Sequence, residues 1–483
     1  MVFTTRTLEL LSHVKQYMDL FPFRLSKNAK IVLRNICKQI HAIDKRPLLT
    51  TYKPITDNIV PTENWLYKEI PSPIREQIES PGIKGRTYTF TIYGRAATPK
   101  RDITVHLLLP KPSNSDGEYS RIYESEEHAN TFFESSIHRI AVWLQVAYMF
   151  AGKTCAKQLT CYLFLTDHHK ILPKKDETIH SEFHSTNMSS IDTIHANTAF
   201  TTACSLNSDI MLYRMEEWFK VFIHETFHSL GLDFSQMDKT ESNRQILDLF
   251  PGCSRDLDVR VYETYCEMWA EILNVMFIAY FSEISRVCAK TRTRKDTKRL
   301  NNTTRRRGCI QSVEYSRILS KTIVQTEEYL KRERAFTMYQ ASKVLQHYNR
   351  TYPEICDHTH KTNTYSELTP VFSYYIVKSV LFYHVNDFVE WCSAHNKDTL
   401  YFTKTQHNIR EYGRLIGRLY KSNEFIQKFD MIQKRTHTMK NAGRETEGVQ
   451  VNSGERSSKE FLAKTDRWIS QTLRMSLYET TYM

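Results

Sequence analysis

The sequence has few of the features that mark three large classes of protein. It contains 13 glycines in 483 residues, which argues against a Gly-rich β-sandwich or propeller and predicts more helix than strand. Its ten cysteines include no CxxC pair, so we expect reduced thiols rather than a disulfide scaffold or zinc ribbon, with Cys155 and Cys161 as small buried residues. No apolar run reaches the roughly 20 residues of a spanning helix, so no membrane span is expected.

The first residues, MVFTTRTLELLSHVKQYMDLF, also lack a secretory signal. Charged and polar side chains interrupt their apolar positions, whereas a signal peptide has a continuous apolar centre. We expect an amphipathic helix here and a protein that is not secreted.

The pattern of apolar residues divides the chain into six predicted segments. Residues 1–80 predict an accessory region of two amphipathic helices and an extended passage. Strand patterns from residue 86, a long helix, three more strands and two further helices predict an α+β core over 81–283. The others are a basic loop (284–308), a helical lobe (309–433), a disordered linker poor in large apolar residues (434–460) and a short C-terminal helix (461–483).

Two histidines four residues apart stand in the apolar stretch VFIHETFHSLGLDFS (221–235). On a helix, His224 and His228 project from the same face, so both can bind one zinc ion (Zn2+). Glu225 follows the first histidine, where its carboxylate can take a proton from a zinc-bound water. Burying these three groups without partners costs roughly a few kcal/mol each, whereas a metal satisfies all of them. The stretch therefore predicts a zinc site of the HExxH type.

A catalytic zinc usually has three protein ligands and one water, so another ligand is required. In the metzincin pattern the third ligand lies three residues after the glycine, here Gly231, which would be position 234. That position is a phenylalanine, and Asp233 lies one residue before it. Farther along, VRVYETYCEMWAEILNVMF (259–277) predicts an apolar helix with one acidic stripe, in which no Lys or Arg relieves the repulsion between like charges four residues apart. The stripe consists of Glu263, Glu267 and Glu271.

The block 159–280 resembles the zinc metallopeptidases encoded by large nucleocytoplasmic DNA viruses, within the wider zincin class. The segments that carry the resemblance are YLFLTDHHKILP, NTAFTTACS, IMLYRMEEWFKVFIHETFHSLGLDFS and YETYCEMWAEILN, with a weaker likeness in TPVFSYY (369–375). It implies a zincin-like α+β fold: a mixed β-sheet with a backing helix, the HExxH helix and a mainly helical lower lobe. It also implies a peptidase of the virion or of the infected host cell cytoplasm, acting on a polypeptide substrate.

The resemblance also implies which glutamate completes the site. Glu267-Met-Trp-Ala270 resembles the ExxA arrangement of gluzincins, which makes Glu267 the expected third zinc ligand. Glu263 or Glu271 would then accept the second N–H of a ligating histidine. Asp233 stays as an alternative ligand.

Two further roles follow from the zincin resemblance. Zincins commonly place a Tyr or His of the lower lobe against the oxyanion of the tetrahedral intermediate, and here Tyr374 is the expected residue, with Tyr375 as its alternative and His384 behind them. The stretch NTAFTTACS (197–205) alternates like an edge strand and is expected to bind an extended peptide, unless it is an interior strand.

Positive charge is concentrated in one segment. Between Arg286 and Arg307 there are ten Lys or Arg against the single acid Asp296, a net +9 of the chain's +12. This segment predicts binding to nucleic acid or another polyanion, a nuclear localisation signal, or a solvated loop.

The rival to the peptidase is a virion structural or scaffolding protein that keeps a zincin core and uses this basic arm against nucleic acid or other virion proteins. Glu225 favours the peptidase, because a purely structural zinc does not need it.

Overall fold

A computed structural model describes residues 2–46, 51–54, 59–93, 100–113, 119–173, 190–292, 312–357, 365, 367–445 and 465–482. Its strands form a six-stranded mixed sheet in the order β2-β3-β4-β5-β7-β6 and a separate pair, β1 and β8. The strands are β1 (Val2–Phe3), β2 (Thr51–Pro54), β3 (Lys84–Ile92), β4 (Arg101–Leu109), β5 (Gln158–Phe164), β6 (Ala199–Thr201), β7 (Asn207–Leu212) and β8 (Thr480–Tyr482). The predicted α+β class is therefore confirmed at this level.

The helices account for most of the described chain. The first group is α1 (Thr5–Lys15), α2 (Lys27–Asp44), α3 (Trp65–Lys68), α4 (Ser72–Glu79), α5 (Ser120–Glu124), α6 (Glu126–Tyr148), α7 (Thr193–Ala196), α8 (Trp218–Ser229) and α9 (Thr240–Leu249). The second group is α10 (Val261–Arg292), α11 (Ser312–His347), α12 (Tyr352–Cys356), α13 (Lys378–Tyr383), α14 (Val385–His395), α15 (Gln406–Leu419) and α16 (Asn423–Glu445). The described residues also include a 3-10 turn (Met18–Leu20), a π-helical stretch (Phe372–Val377) and a short helix over 465–471.

The sheet combines a hairpin with parallel strands. Strands β3 and β4 pair antiparallel, β4, β5 and β7 run parallel, and β6 returns antiparallel at the sheet edge. The central strands bury both faces, because Leu163 belongs to the main core while Phe164 packs with residues of α3 and α4 on the opposite side. Strands covered on both faces need apolar residues at nearly every position, as in the sequence LTCYLF.

Helix α8 lies between the sheet and α10. It contacts β6 and β7 on one side, α10 on the other and α6 along its length. Helix α10 is long and apolar enough over Val261–Ala289 to cross a membrane, yet 72% of an apolar 18-residue window within this span is buried inside the molecule. Core helices share this composition.

Three sequence predictions differ from the structure. Cys155 and Cys204 form a disulfide, so the expectation of reduced thiols and of Cys155 as a plain apolar residue is wrong for this pair, which lies 49 residues apart in sequence. Spacing rules for CxxC pairs do not detect such a contact, because only the fold brings the two segments together. Cys161 is buried and free, as predicted.

The two other differences lie near the C-terminus. Helix α16 extends to Glu445 and so covers the first part of the predicted linker, whose remainder, 446–460, lies outside the described residues. In the described residues the predicted C-terminal helix covers 465–471, and the chain from Thr472 to Thr480 is buried and non-helical. Backbone groups of this segment bond to buried carboxylates, which compensates for the missing helical bonds. Of the basic segment, residues 293–307 lie outside the described part of the chain.

Candidate metal centre

Local sequence explains where helix α8 begins and ends. Its N-cap, Glu217, has a φ of 59°, a conformation that costs a non-glycine residue about 1 kcal/mol or more and is held here by tertiary contacts. At its other end Gly231 has a φ of 63° and donates its N–H to the carbonyl of His228 at 3.0 Å. A side chain at Gly231 would also meet the sulfur of Cys155 at 2.7 Å. Both the positive φ and this close contact therefore favour glycine at position 231.

The two histidines of α8 meet a carboxylate of α10. The Nε2 atoms of His224 and His228 lie 3.1 Å apart, and Oε2 of Glu263 lies 3.0 Å from the first and 3.3 Å from the second. All three residues are at most 7% exposed. These are the positions from which three side chains can hold one metal ion.

The opposite nitrogens of the two imidazoles both face carboxylates. Nδ1 of His228 lies 2.6 Å from Oδ2 of Asp233, which accepts its hydrogen, whereas Nδ1 of His224 lies 3.0 Å from Oε1 of Glu267, within ion-pair distance but outside hydrogen-bond geometry. An ionised carboxylate only accepts hydrogen bonds, so Nδ1 of His228 carries a hydrogen and its Nε2 is free to bind a metal ion. The two Nε2 atoms and Oε2 of Glu263 lie within 3.3 Å of one another, where one metal ion can contact all three.

The electrostatics of the buried cluster point the same way. Burial lowers the pKa of His228, but the neighbouring Cys266, Glu263 and Asp233 raise it more, so it lies well above its ordinary value. Burial raises the pKa of Glu263, but both histidines lower it more strongly, so it stays ionised. The buried carboxylates around the two histidines therefore stabilise a positive charge at this site, either a proton on an imidazole or a metal ion.

Glu267, the ligand that the resemblance implied, lies on the Nδ1 side of His224. Its carboxylate faces that nitrogen and also accepts from Nζ of Lys220 at 2.6 Å and Nζ of Lys378 at 3.3 Å. Burial raises the pKa of Glu267, but the two lysines and His224 outweigh this and hold it well below its ordinary value. Glu263, one turn earlier on α10, is the glutamate whose carboxylate lies near Nε2 of both histidines.

The other two alternatives are also placed by the structure. Glu271 is fully buried and pairs with Lys378 rather than with a histidine. Asp233 lies with Cys266 on the Nδ1 side of His228, where the sulfur is 3.8 Å from the carboxylate. These three groups can also hold a metal ion geometrically. That arrangement would use the nitrogen that Asp233 already binds, so we assign Asp233 to orienting the ring.

A small cavity of about 30 Å³ opens beside His224 and Glu225 of α8. Its walls also include Glu267, Thr198 and Met475, whereas His228 and Glu263 do not line it. A space of this size holds a water molecule with polar partners. Burial raises the pKa of Glu225, and His224 and His228 only partly offset this, so its carboxylate binds a proton more readily than an exposed one.

The two tyrosines that the sequence offered for the oxyanion, Tyr374 and Tyr375, have different surroundings. Tyr374 lines the cavity, and its ring centroid lies 6.2 Å from that of His224. Tyr375 donates its hydroxyl to the carbonyl of Leu473. Both belong to the π-helical stretch Phe372–Val377, a geometry that often marks functional sites because it changes the direction of side chains within a helix. His384 lies 3.0 Å from the hydroxyl of Ser422 and does not line the cavity.

Sequence reasoning missed the lysines and the C-terminal segment that support the site. Lys220 lies one turn before His224 in an apolar helix, a signal that a buried charge needs a partner, but nothing in the sequence pairs it with Glu267. Met475 lines the cavity from a segment more than 200 residues away in sequence. The carboxylate of Glu217 accepts from the N–H of Met475 at 3.1 Å and from Nζ of Lys170 at 2.6 Å, which fixes the start of α8.

Strand β6 and helix α6 both pack against α8. Strand β6 is at the edge of the sheet, as predicted, and Thr198 and Ala199 at its start line the cavity. The indole of Trp143 on α6 donates to the hydroxyl of Thr226 on α8 at 2.7 Å. Comparisons of the chain with models of protein families, with curated proteins and with solved structures give no match.

Proposed function

We propose that this protein is a zinc-dependent metallopeptidase in which His224, His228 and Glu263 hold the metal and Glu225 is the general base. The convergence of three donor atoms beside a buried glutamate carries the proposal. Tetrahedral zinc with bonds of about 2.0–2.1 Å separates its ligands by roughly 3.3 Å. The observed separations of 3.0, 3.1 and 3.3 Å fit that spacing.

Bound zinc would supply a Lewis acid that acidifies a water molecule and polarises the carbonyl of the scissile peptide bond. Glu225 stands next to His224 in sequence and faces the same cavity. Its raised pKa suits a group that takes a proton from water and later gives it to the leaving amine. Asp233 and Glu267 hold the two imidazole rings in the tautomer that presents Nε2.

Tyr374 is the residue that we assign to the oxyanion. Burial raises the pKa of its hydroxyl well above the ordinary value, with Glu263 and Glu225 adding to the effect, so it remains a hydrogen-bond donor at neutral pH. A preorganised donor of this kind contributes about 10²–10³ in rate to acyl transfer reactions.

The substrate would be an extended polypeptide bound along β6. Among the described strands this one pairs with β7 alone, so its other edge offers main-chain groups for an added strand. The cavity of about 30 Å³ is too small for a peptide, so residues 196–199 and Met475 must move apart when substrate binds.

The small size of this cavity also favours a second candidate, a structural protein of the virion that keeps metal only for stability. Every ligand of the site is buried, as in closed structural metal sites. The basic segment would then serve as its contact with nucleic acid or with other virion proteins. Glu225 distinguishes the two functions, because a structural site does not need a general base.

The test compares wild type with Glu225→Gln. Zinc content is measured by atomic spectroscopy, and cleavage is measured on a peptide library by mass spectrometry. The peptidase predicts equal zinc in both proteins and activity only in the wild type. Zinc in both proteins with no cleavage by either one would favour the structural candidate, and absence of zinc from wild type after zinc-supplemented purification would contradict both.

A further inference from the structure

Helix α2 carries a stripe of positive charge on one face. Its members follow helical spacing of three, four, four and seven residues, so they lie in one row. At 1.5 Å per residue the row is about 27 Å long. The row consists of Lys27, Lys30, Arg34, Lys38 and Lys45.

Packing on the other side of α2 directs this row outward. Val32, Leu33 and Ile36 are buried in the core, while Lys27, Arg34, Lys38 and Lys45 are exposed and Lys30 is partly exposed. Like charges four residues apart destabilise a helix, so the row is not explained by helix stability.

Few of these cations are neutralised within the molecule. Lys30 pairs with Glu327 at 2.8 Å, and Arg34 contacts the hydroxyl of Ser320 at 3.5 Å. Lys27 and Lys38 form no ion pair with any residue in the described part of the chain. The row therefore keeps most of its positive charge available to a partner.

A groove of about 390 Å³ runs between this row and the start of α11. Its polar walls are Arg34 and Asn35 and Lys38 of α2 with Tyr315 and Ser316 of α11. The carboxylate closest in sequence is Glu314, which is not part of the lining. Two cations, an amide and two hydroxyls form a set of donors suited to phosphate oxygens.

We propose that the α2 row and this groove bind the phosphate backbone of a single-stranded nucleic acid. A regular row of cations matches a regular row of phosphates, and an unpaired strand can follow a straight helix. The groove has the size of a small-ligand site, which admits a nucleotide and excludes a duplex. The apolar face of α2 is buried and Ile31 is its one exposed large apolar side chain, which is too little apolar surface to anchor this helix in a lipid bilayer. The site lies outside the basic segment 286–307.

The experiment measures binding of a fluorescein-labelled oligothymidylate of about 16 nucleotides by fluorescence anisotropy over a range of salt concentrations. The test variant is Arg34→Gln/Lys38→Gln. The matched control is Lys84→Gln/Lys111→Gln, which removes the same charge at the far end of the β3–β4 hairpin, where both lysines are exposed. The test variant should bind at least about tenfold more weakly at moderate salt, with a salt slope lower by about 1.4, and the control should differ by less than about twofold.

A second variant, Ser316→Glu, keeps the test valid if the double variant unfolds, because it adds an acid to the groove at an exposed position. It should weaken binding without lowering the melting temperature. Wild-type affinity in either folded variant would overturn the proposal. So would binding that disappears only when the charges of 286–307 are neutralised, or retention of the protein on phosphatidylserine vesicles without affinity for the oligonucleotide.

Discussion

Oε1 of Glu267 lies 3.0 Å from Nδ1 of His224, on the other side of the imidazole ring from Nε2, which faces Glu263. In the proposed site this relationship makes Glu263 a ligand and Glu267 a residue that orients the ring. Glu263→Gln should lower zinc affinity by more than about 100-fold, whereas Glu267→Gln should lower it by about 10–100-fold, the usual effect of losing an orienting carboxylate. Competition with a chelator measures both. A larger loss in E267Q would return the ligand role to Glu267.

The two adjacent tyrosines offer a matched pair of variants. Tyr374→Phe removes the hydroxyl that faces the cavity and should lower kcat by about 10²–10³ without changing zinc content. Tyr375→Phe removes a buried hydrogen bond to Leu473 and should lower stability by about 1 kcal/mol while leaving kcat near that of wild type. Peptide cleavage kinetics and urea unfolding test the pair. Equal kcat in the two variants would rule out the assignment of Tyr374.

The C-terminal segment is fixed by a fully buried guanidinium. Nη2 of Arg474 lies 3.3 Å from Glu479, and Nε lies 3.9 Å from Glu216. Arg474→Met removes the buried cation from these carboxylates, which keep hydrogen bonds from the hydroxyl of Tyr119 and the N–H of Lys170, and should destabilise the protein by about 3–5 kcal/mol. Arg474→Met/Glu479→Gln should recover part of that loss, and Arg467→Met, at an exposed position, serves as the control in urea unfolding. An R474M protein as stable as the control would contradict the expected effect.

Buried histidines should make the protein sensitive to mild acid. Burial lowers the pKa of His106 to about 4, and burial together with Lys343 lowers that of His13 to about 4. The unfolded chain binds these protons near pH 6.5, so between about pH 6.5 and 4 it holds more protons than the folded protein, and stability falls as the pH falls through that range.

His106→Gln removes one of these groups and keeps a polar partner for Thr87, which lies 2.8 Å from Nδ1. The loss of stability between about pH 6.5 and 4 should be smaller in this variant than in wild type, whatever its stability at neutral pH. The control is His407→Gln, at an exposed position on α15. Urea midpoints that shift with pH equally in H106Q and wild type would disprove the contribution of His106.

The disulfide predicts a response to reductant. Cross-linking residues 49 positions apart removes entropy from the unfolded chain and should contribute about 2–4 kcal/mol. Dithiothreitol should therefore lower the melting temperature of wild type and leave that of Cys155→Ser/Cys204→Ser unchanged. A wild-type melting temperature that stays constant after complete reduction, verified by thiol titration, would contradict the contribution.

Periodicity predicted most elements near the site because they are local. The strands that begin near residue 86, the three strands after the long helix and the helix that carries His224 follow from alternation and 3.6-residue repeats, and the structure contains each of them. The boundaries near the C-terminus failed because an extended chain buried among carboxylates has no periodic signal.

The sequence by itself determined that His224, Glu225 and His228 share one end of an apolar helix and that a second helix brings glutamates with a spacing of four. Only the tertiary structure decided which glutamate meets them. The rotation of α10 against α8 turns Glu263 toward both Nε2 atoms and Glu267 toward Lys220, a difference of one helical turn that depends on the packing of two helices. It also decided that Met475 and the disulfide border the site, because such contacts join segments that nothing in the local sequence connects.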